Sequence, residues 1–126
     1  MTPTKEQLEA DETSTLISAE KVEGTPVRNP AGDKLGSIED VMIDKPSGEV
    51  VCAIMSFGGF LGMGEKYHPL PWSVLHYDTS KDGYIVDLDK EQLEGAPAYS
   101  DEELGDSDVK WRTKVFDYYQ QPPYWG

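Results

Sequence analysis

Between Val50 and Trp72 the chain reads as a strand, a glycine-rich connection and a second strand, and no other stretch constrains the fold as much. Val50-Val51-Cys52-Ala53-Ile54-Met55 is apolar at both parities, the pattern of a strand buried on its two sides. Gly58, Gly59, Gly62 and Gly64 then admit backbone angles closed to other residues, and between them stand Phe60, Leu61 and Met63. Large apolar side chains on a connection are unusual, because connections run over the surface. Lys66 to Pro71 resumes extended structure, and Pro69 and Pro71, which donate no ladder hydrogen bond, confine it to an edge or a corner.

The flanking segments continue this pattern. Ser18 is placed to cap a short helical turn over Ala19-Glu20-Lys21-Val22, which Gly24-Thr25-Pro26 breaks. Val27-Arg28 leads into an Asn29-Pro30-Ala31-Gly32-Asp33 turn. Lys34 to Asp44 is a strand whose apolar parity switches between Leu35, Ile38, Val41, Met42 and Ile43, so a β-bulge is expected near Glu39-Asp40. Asp44-Lys45-Pro46-Ser47-Gly48-Glu49 is a hairpin signal pairing that strand with Val50 to Phe57. Tyr84, Val86 and Leu88 alternate inward on a last strand. No long helix interrupts Val27 to Leu88, and parallel strands need crossovers of a dozen residues or more. The predicted fold is therefore mainly β, a small antiparallel β-barrel of about five to six strands with a short C-terminal helix.

Residues 1–15 read as a disordered acidic and polar arm. After a helical turn at Lys90–Glu94, Ser100 to Asp108 is rich in acids without a base and reads as a solvated spacer. Ser107 is a candidate cap for a helix carrying Val109, Arg112, Phe116 and Tyr119 on one face, ended at Pro122-Pro123. Tyr118, Tyr119, Tyr124 and Trp125 are too many aromatics for a free tail, so this helix is expected to dock on the barrel or on a second subunit.

A formal charge of -13 repels phosphate backbones and anionic membrane surfaces, which argues against direct nucleic-acid binding and leaves basic proteins or divalent cations as partners. No apolar run approaches the roughly 20 residues of a membrane span, and the first residues lack the layout of a secretory signal, so no membrane insertion and a cytoplasmic location are expected. Cys52, the single cysteine, reads as a small core residue rather than a reactive thiol.

Taken together, Leu16-Ile17-Ser18-Ala19 leading to Gly24-Thr25-Pro26-Val27, then Gly36 to Asp44, Gly48-Glu49-Val50, and Phe57 to Gly62 through Tyr67-His68-Pro69-Leu70-Pro71-Trp72 resemble a PRC-barrel domain. The family is named for the cytoplasmic domain of the photosynthetic reaction-centre H subunit and is shared with a ribosome maturation factor. With Asp117-Tyr118-Tyr119 and Pro122-Pro123-Tyr124-Trp125 the chain is similar to stand-alone bacterial members. The resemblance covers residues 16–99, followed by an acidic linker and aromatic helix and tail over 100–126. It implies a binding or assembly module without shared catalytic residues. The membrane helix of the H subunit and the RNA-processing domain of the ribosome factor have no counterpart in this sequence, so neither specific role transfers.

The chemistry-bearing residues have simpler readings. The glycine stretch lies between strands and does not open a helix, and no P-loop lysine-serine pair follows it. His68 and His76 lie eight apart with no cysteine near either to complete a zinc set. Asp40, Asp44, Asp87 and Asp89 suit calcium only if strands bring them together, and turn capping explains them with less effort. No Gly-x-Ser-x-Gly, Cys-His pair or dinucleotide fingerprint occurs. The expectation is a non-enzymatic, self-associating module without a cofactor, most simply a homodimer. Its partner-binding surface is assigned to Phe57, Phe60, Leu61, Met63, Tyr67, His68, Trp72, Phe116, Tyr119, Tyr124 and Trp125. Two alternatives stand beside it: a small-ligand or metal-binding barrel using the aspartates and His68, and a ribosome-type accessory acting through a basic protein.

Overall fold

The computed structural model describes residues 16–57, 66–78, 80, 83–106 and 108–125. The N-terminal arm, the glycine stretch with Phe60, Leu61 and Met63, and the Ser107 cap lie outside the described residues. A short helix α1 (Ala19–Val22) starts at Ser18, whose hydroxyl accepts from the Lys21 N–H at 3.2 Å. Strands β1 (Pro26–Arg28), β2 (Lys34–Ile43), β3 (Val50–Phe57) and β4 (Tyr67–Pro71) follow. A 3₁₀ turn over Trp72–Val74 leads to β5 (His76–Asp78) and β6 (Gly83–Ile85), then to helices α2 (Lys90–Glu94), α3 (Asp101–Asp106) and α4 (Asp108–Tyr118).

The local chemistry places the hairpins as expected. Gly48 takes a φ of 77° and donates its N–H to the Asp44 carbonyl at 2.7 Å, closing the β2–β3 turn. Asn29 grips its own turn twice, accepting from the Asp33 N–H at 2.9 Å and donating to the Asp33 carboxylate at 3.3 Å, while Gly32 supplies the corner at φ 95°. The β2–β3 register skips between Ile38 and Asp40, which puts the expected bulge at Glu39.

Sheet order is β4-β3-β2-β1-β6-β5, with β1 parallel to β6 and the other ladders antiparallel. The expected antiparallel barrel is thus corrected to a mixed six-stranded sheet that is not closed by hydrogen bonds. The crossover argument excluded parallel pairing only between consecutive strands. Here β2 to β5 themselves form the long connection that lets β1 lie parallel to β6. The last strand is also shorter than Tyr84 to Leu88, although the Val86 N–H still reaches the Arg28 carbonyl at 2.9 Å.

The open sheet is nonetheless strongly curled. Its two edge strands, β4 and β5, are consecutive in the chain. Across a flat six-stranded sheet they would stand about 24 Å apart at about 4.8 Å per strand. The five residue steps from Pro71 to His76 reach at most about 18 Å, and a 3₁₀ turn shortens that further. Curling brings Trp72 from one edge to Tyr84 on β6, ring centroids 5.5 Å apart, and Tyr84 also meets its cross-strand partner Tyr77 on β5 at 5.0 Å. Val27, Leu35, Ile38, Met55, Leu70 and Val86 fill the core. As its apolar run predicts, β3 is buried at both parities, with Cys52, Ala53 and Met55 inaccessible and Ile54 only 5% exposed.

The C-terminal region departs from expectation in two ways. The acidic spacer contains a helix, α3, opened by a reciprocal pair in which Glu103 N–H donates to the Ser100 hydroxyl and Ser100 N–H to the Glu103 carboxylate, with Leu104 packed on the core. On α4 the buried residues are Trp111, Val115 and Phe116, with Tyr119 just beyond, whereas Val109 is 60% exposed.

Candidate interaction surfaces

Phe116, Tyr124 and Trp125 form one aromatic cluster. After α4, Gln120 takes the left-handed angle φ 54° and Gln121 N–H returns to the Phe116 carbonyl at 2.9 Å, which turns the chain back along the helix. Pro122 and Pro123 prevent any helical continuation. Trp125 then stands edge-on to Phe116 at 5.2 Å, with Tyr124 at 5.5 Å from the same ring. The Arg112 guanidinium lies 4.6 Å above the Trp125 ring and 3.3 Å from the Asp108 carboxylate, which also accepts from the Tyr124 hydroxyl at 3.2 Å. Burial pushes the Tyr124 hydroxyl pKa up, with the Arg112 hydrogen bond opposing it.

The predicted contact residues divide by burial. Phe116 and Tyr119 are buried and hold α4 in place, which satisfies the docking expected of this helix within its own chain. Tyr67 and Trp72 are half-buried, and His68 is buried. Phe57 ends β3 opposite Gly36. Tyr124 and Trp125 remain partly at the surface, as does Val109 one turn before Arg112, which the sequence places on the docking face but not among the contact residues. Tyr118, also exposed, is anchored through its hydroxyl to the Gln92 carbonyl at 2.5 Å.

Titratable groups in the core are held neutral. The Cys52 thiol is pushed up to about 12, first by burial and then by the charge of Asp108, which makes it a poor nucleophile. Burial lowers the His68 pKa, with the Pro97 backbone carbonyl partly offsetting it by hydrogen bonding. The aspartates have local duties: Asp44 accepts from Ser47 N–H and hydroxyl at 3.1 and 2.7 Å, Asp89 caps α2, and Asp40 accepts from the Val41 N–H at 2.8 Å. Among the described residues no cluster of three or more His, Cys, Asp or Glu is placed to hold a metal ion. No helix there is long and apolar enough to cross a membrane.

A second surface lies on one face of β2–β3–β4. Asp40 stands opposite Ile54, Met42 opposite Cys52, and Ser56 opposite Tyr67, so Asp40, Met42, Ile54 and Tyr67 share that face. Leu104 and Gly105 of α3 approach it, leaving a groove of about 330 Å³ rimmed by Glu39 and Asp40.

Among family models, the PRC-barrel domain matches residues 14–93, from just before α1 to α2 and well over half of the chain. No curated protein matches it. Helices α3 and α4 and the aromatic cluster fall outside the matched span.

Proposed function

The chain belongs to the PRC-barrel domain family, and from that premise we propose that it is a non-enzymatic assembly module that associates with a second copy of itself through its C-terminal aromatic surface. The observation that carries this reading is the cluster on α4, where Val109 is 60% and Tyr124 38% exposed beside the half-buried Trp125. Covering such side chains contributes about 1.5–3 kcal/mol each, the scale at which a small interface becomes stable. Phe60, Leu61 and Met63 of the glycine stretch belong to the same proposal on sequence grounds. The inert Cys52 and the local duties of the aspartates support a non-catalytic reading.

Light scattering over a concentration series tests it. The wild-type chain is expected to show a dimer that weakens at least tenfold in Val109→Ser/Tyr124→Ser. A monomer at every concentration, identical in the variant, would overturn the proposal.

A further inference from the structure

The groove on the β2–β3–β4 face has a chemistry unlike that of the aromatic cluster. Met42, Ile54, Tyr67 and Leu104 make its floor apolar, and its volume of about 330 Å³ is at the lower end for ligand clefts, enough for an apolar side chain and its neighbours. Its rim is anionic. Glu39 is the bulged residue and is exposed beside the exposed Asp40, and neither forms an ion pair among the described residues. Both carboxylates line the groove itself, together with Leu104 and Gly105 of α3. Lys66 is close enough to Glu103 to help lower its carboxyl pKa, after the Ser100 hydrogen bonds.

The geometry points to a docking site for a basic amphipathic segment of a partner protein, one apolar side chain seated on Met42, Ile54 and Leu104 and flanking lysines or arginines facing Glu39 and Asp40. Charge complementarity selects this occupant. A surface of -13 steers cations toward an acid-rimmed groove and repels nucleic acid. A second copy of the chain would bring the same excess of carboxylates against the rim, and juxtaposed like charges are unfavourable. The apolar floor requires a segment that also carries a hydrophobic anchor, because a purely cationic chain leaves it uncovered. None of the residues lining this groove belongs to the cluster of Val109, Phe116, Tyr124 and Trp125 proposed for self-association.

The test uses the full chain and three fluorescent synthetic peptides: an amphipathic lysine-leucine helix, an all-lysine peptide of equal charge, and a glutamate-leucine helix. The lysine-leucine peptide is expected to bind saturably at one per chain, at least tenfold tighter than the other two, and to shift the backbone amide signals of Met42, Ile54 and Leu104. The exposed-charge variant Glu39→Lys/Asp40→Lys should weaken it at least tenfold, and Met42→Ser should do so with little change in salt dependence. Equal affinity for the all-lysine peptide, unchanged binding by the charge variant, or signal shifts scattered over the surface would each overturn the assignment. Light scattering on the same variants separates the two readings. A dimer that survives Glu39→Lys/Asp40→Lys while peptide binding is lost supports the groove. A dimer lost in that variant, with no peptide bound by the wild type, makes a second copy the occupant and overturns it.

Discussion

A Cβ added at Gly36 would stand 1.9 Å from the Ser56 carbonyl oxygen and 3.1 Å from the Met55 Cγ, so β2 and β3 can lie this close only because the position carries no side chain. The obstruction is backbone, which cannot swing aside. Gly36→Ala is expected to cost at least about 2 kcal/mol, a fall in melting temperature on the order of 10 °C. Gly32→Ala, where the new methyl meets nothing within 4 Å and only the positive φ is strained, should cost about 1 kcal/mol. Calorimetry on the two variants checks the order, and a Gly36→Ala chain that melts with the wild type would contradict the register. His68 sets a second expectation. In the unfolded chain it titrates near 6.5, whereas burial lowers it in the fold. Below that pH the unfolded state takes up a proton that the native state refuses, so the stability present above about 6.5 is lost progressively as pH falls toward the folded value. Urea titrations at pH 7 and pH 5.5 should show a larger loss for the wild type than for His68→Gln, and equal losses would refute the assignment.

At the scale of elements, α4 tests which face docks. Trp111 is 3% exposed and Val109 60%, so Trp111→Ala is expected to cost about 3–5 kcal/mol and Val109→Ala no more than about 0.5 in the monomeric protein. Urea midpoints of the two variants decide it; similar values would mean that the docked face is wrong. The hairpin at Asp44–Glu49 and the bulge at Glu39 were legible in the sequence because turn residues and a parity switch act locally. The docked face of α4 was not. Arg112, aliphatic in its stem and stacked on Trp125, fits a Val109-centred stripe as well as an apolar residue does, and only tertiary contact favours Trp111 and Val115. Helix α3 was hidden by its acids, although Leu104 among them and the Ser100–Glu103 pair were the available signals. The groove was invisible for a different reason: its floor comes from three strands and a helix that only the fold brings together. The C-terminal aromatic excess was legible, but nothing in its spacing separated Phe116 and Tyr119, which are buried, from Tyr124 at the surface.

For the whole molecule the dominant long-range term is charge. With a net -13 and ion pairs such as Lys110–Asp106 lying in solvent, self-repulsion opposes compaction more than paired charges favour it. Raising sodium chloride from about 0.01 M to about 1 M shortens the screening length from about 30 Å to about 3 Å, and the melting temperature should rise by several degrees. A fall would show that attractive pairs prevail.

The parallel contact of β1 with β6 has a consequence for how the molecule forms. The β2–β3–β4 meander assembles from neighbours along the chain, whereas Val27 meets Tyr84 only after everything between them has been gathered in. Closing so long a loop carries an entropic cost that local hairpins escape. The three residues of β1 therefore join two halves of the sheet in a late step, and a chain caught before it would expose the inner side of both.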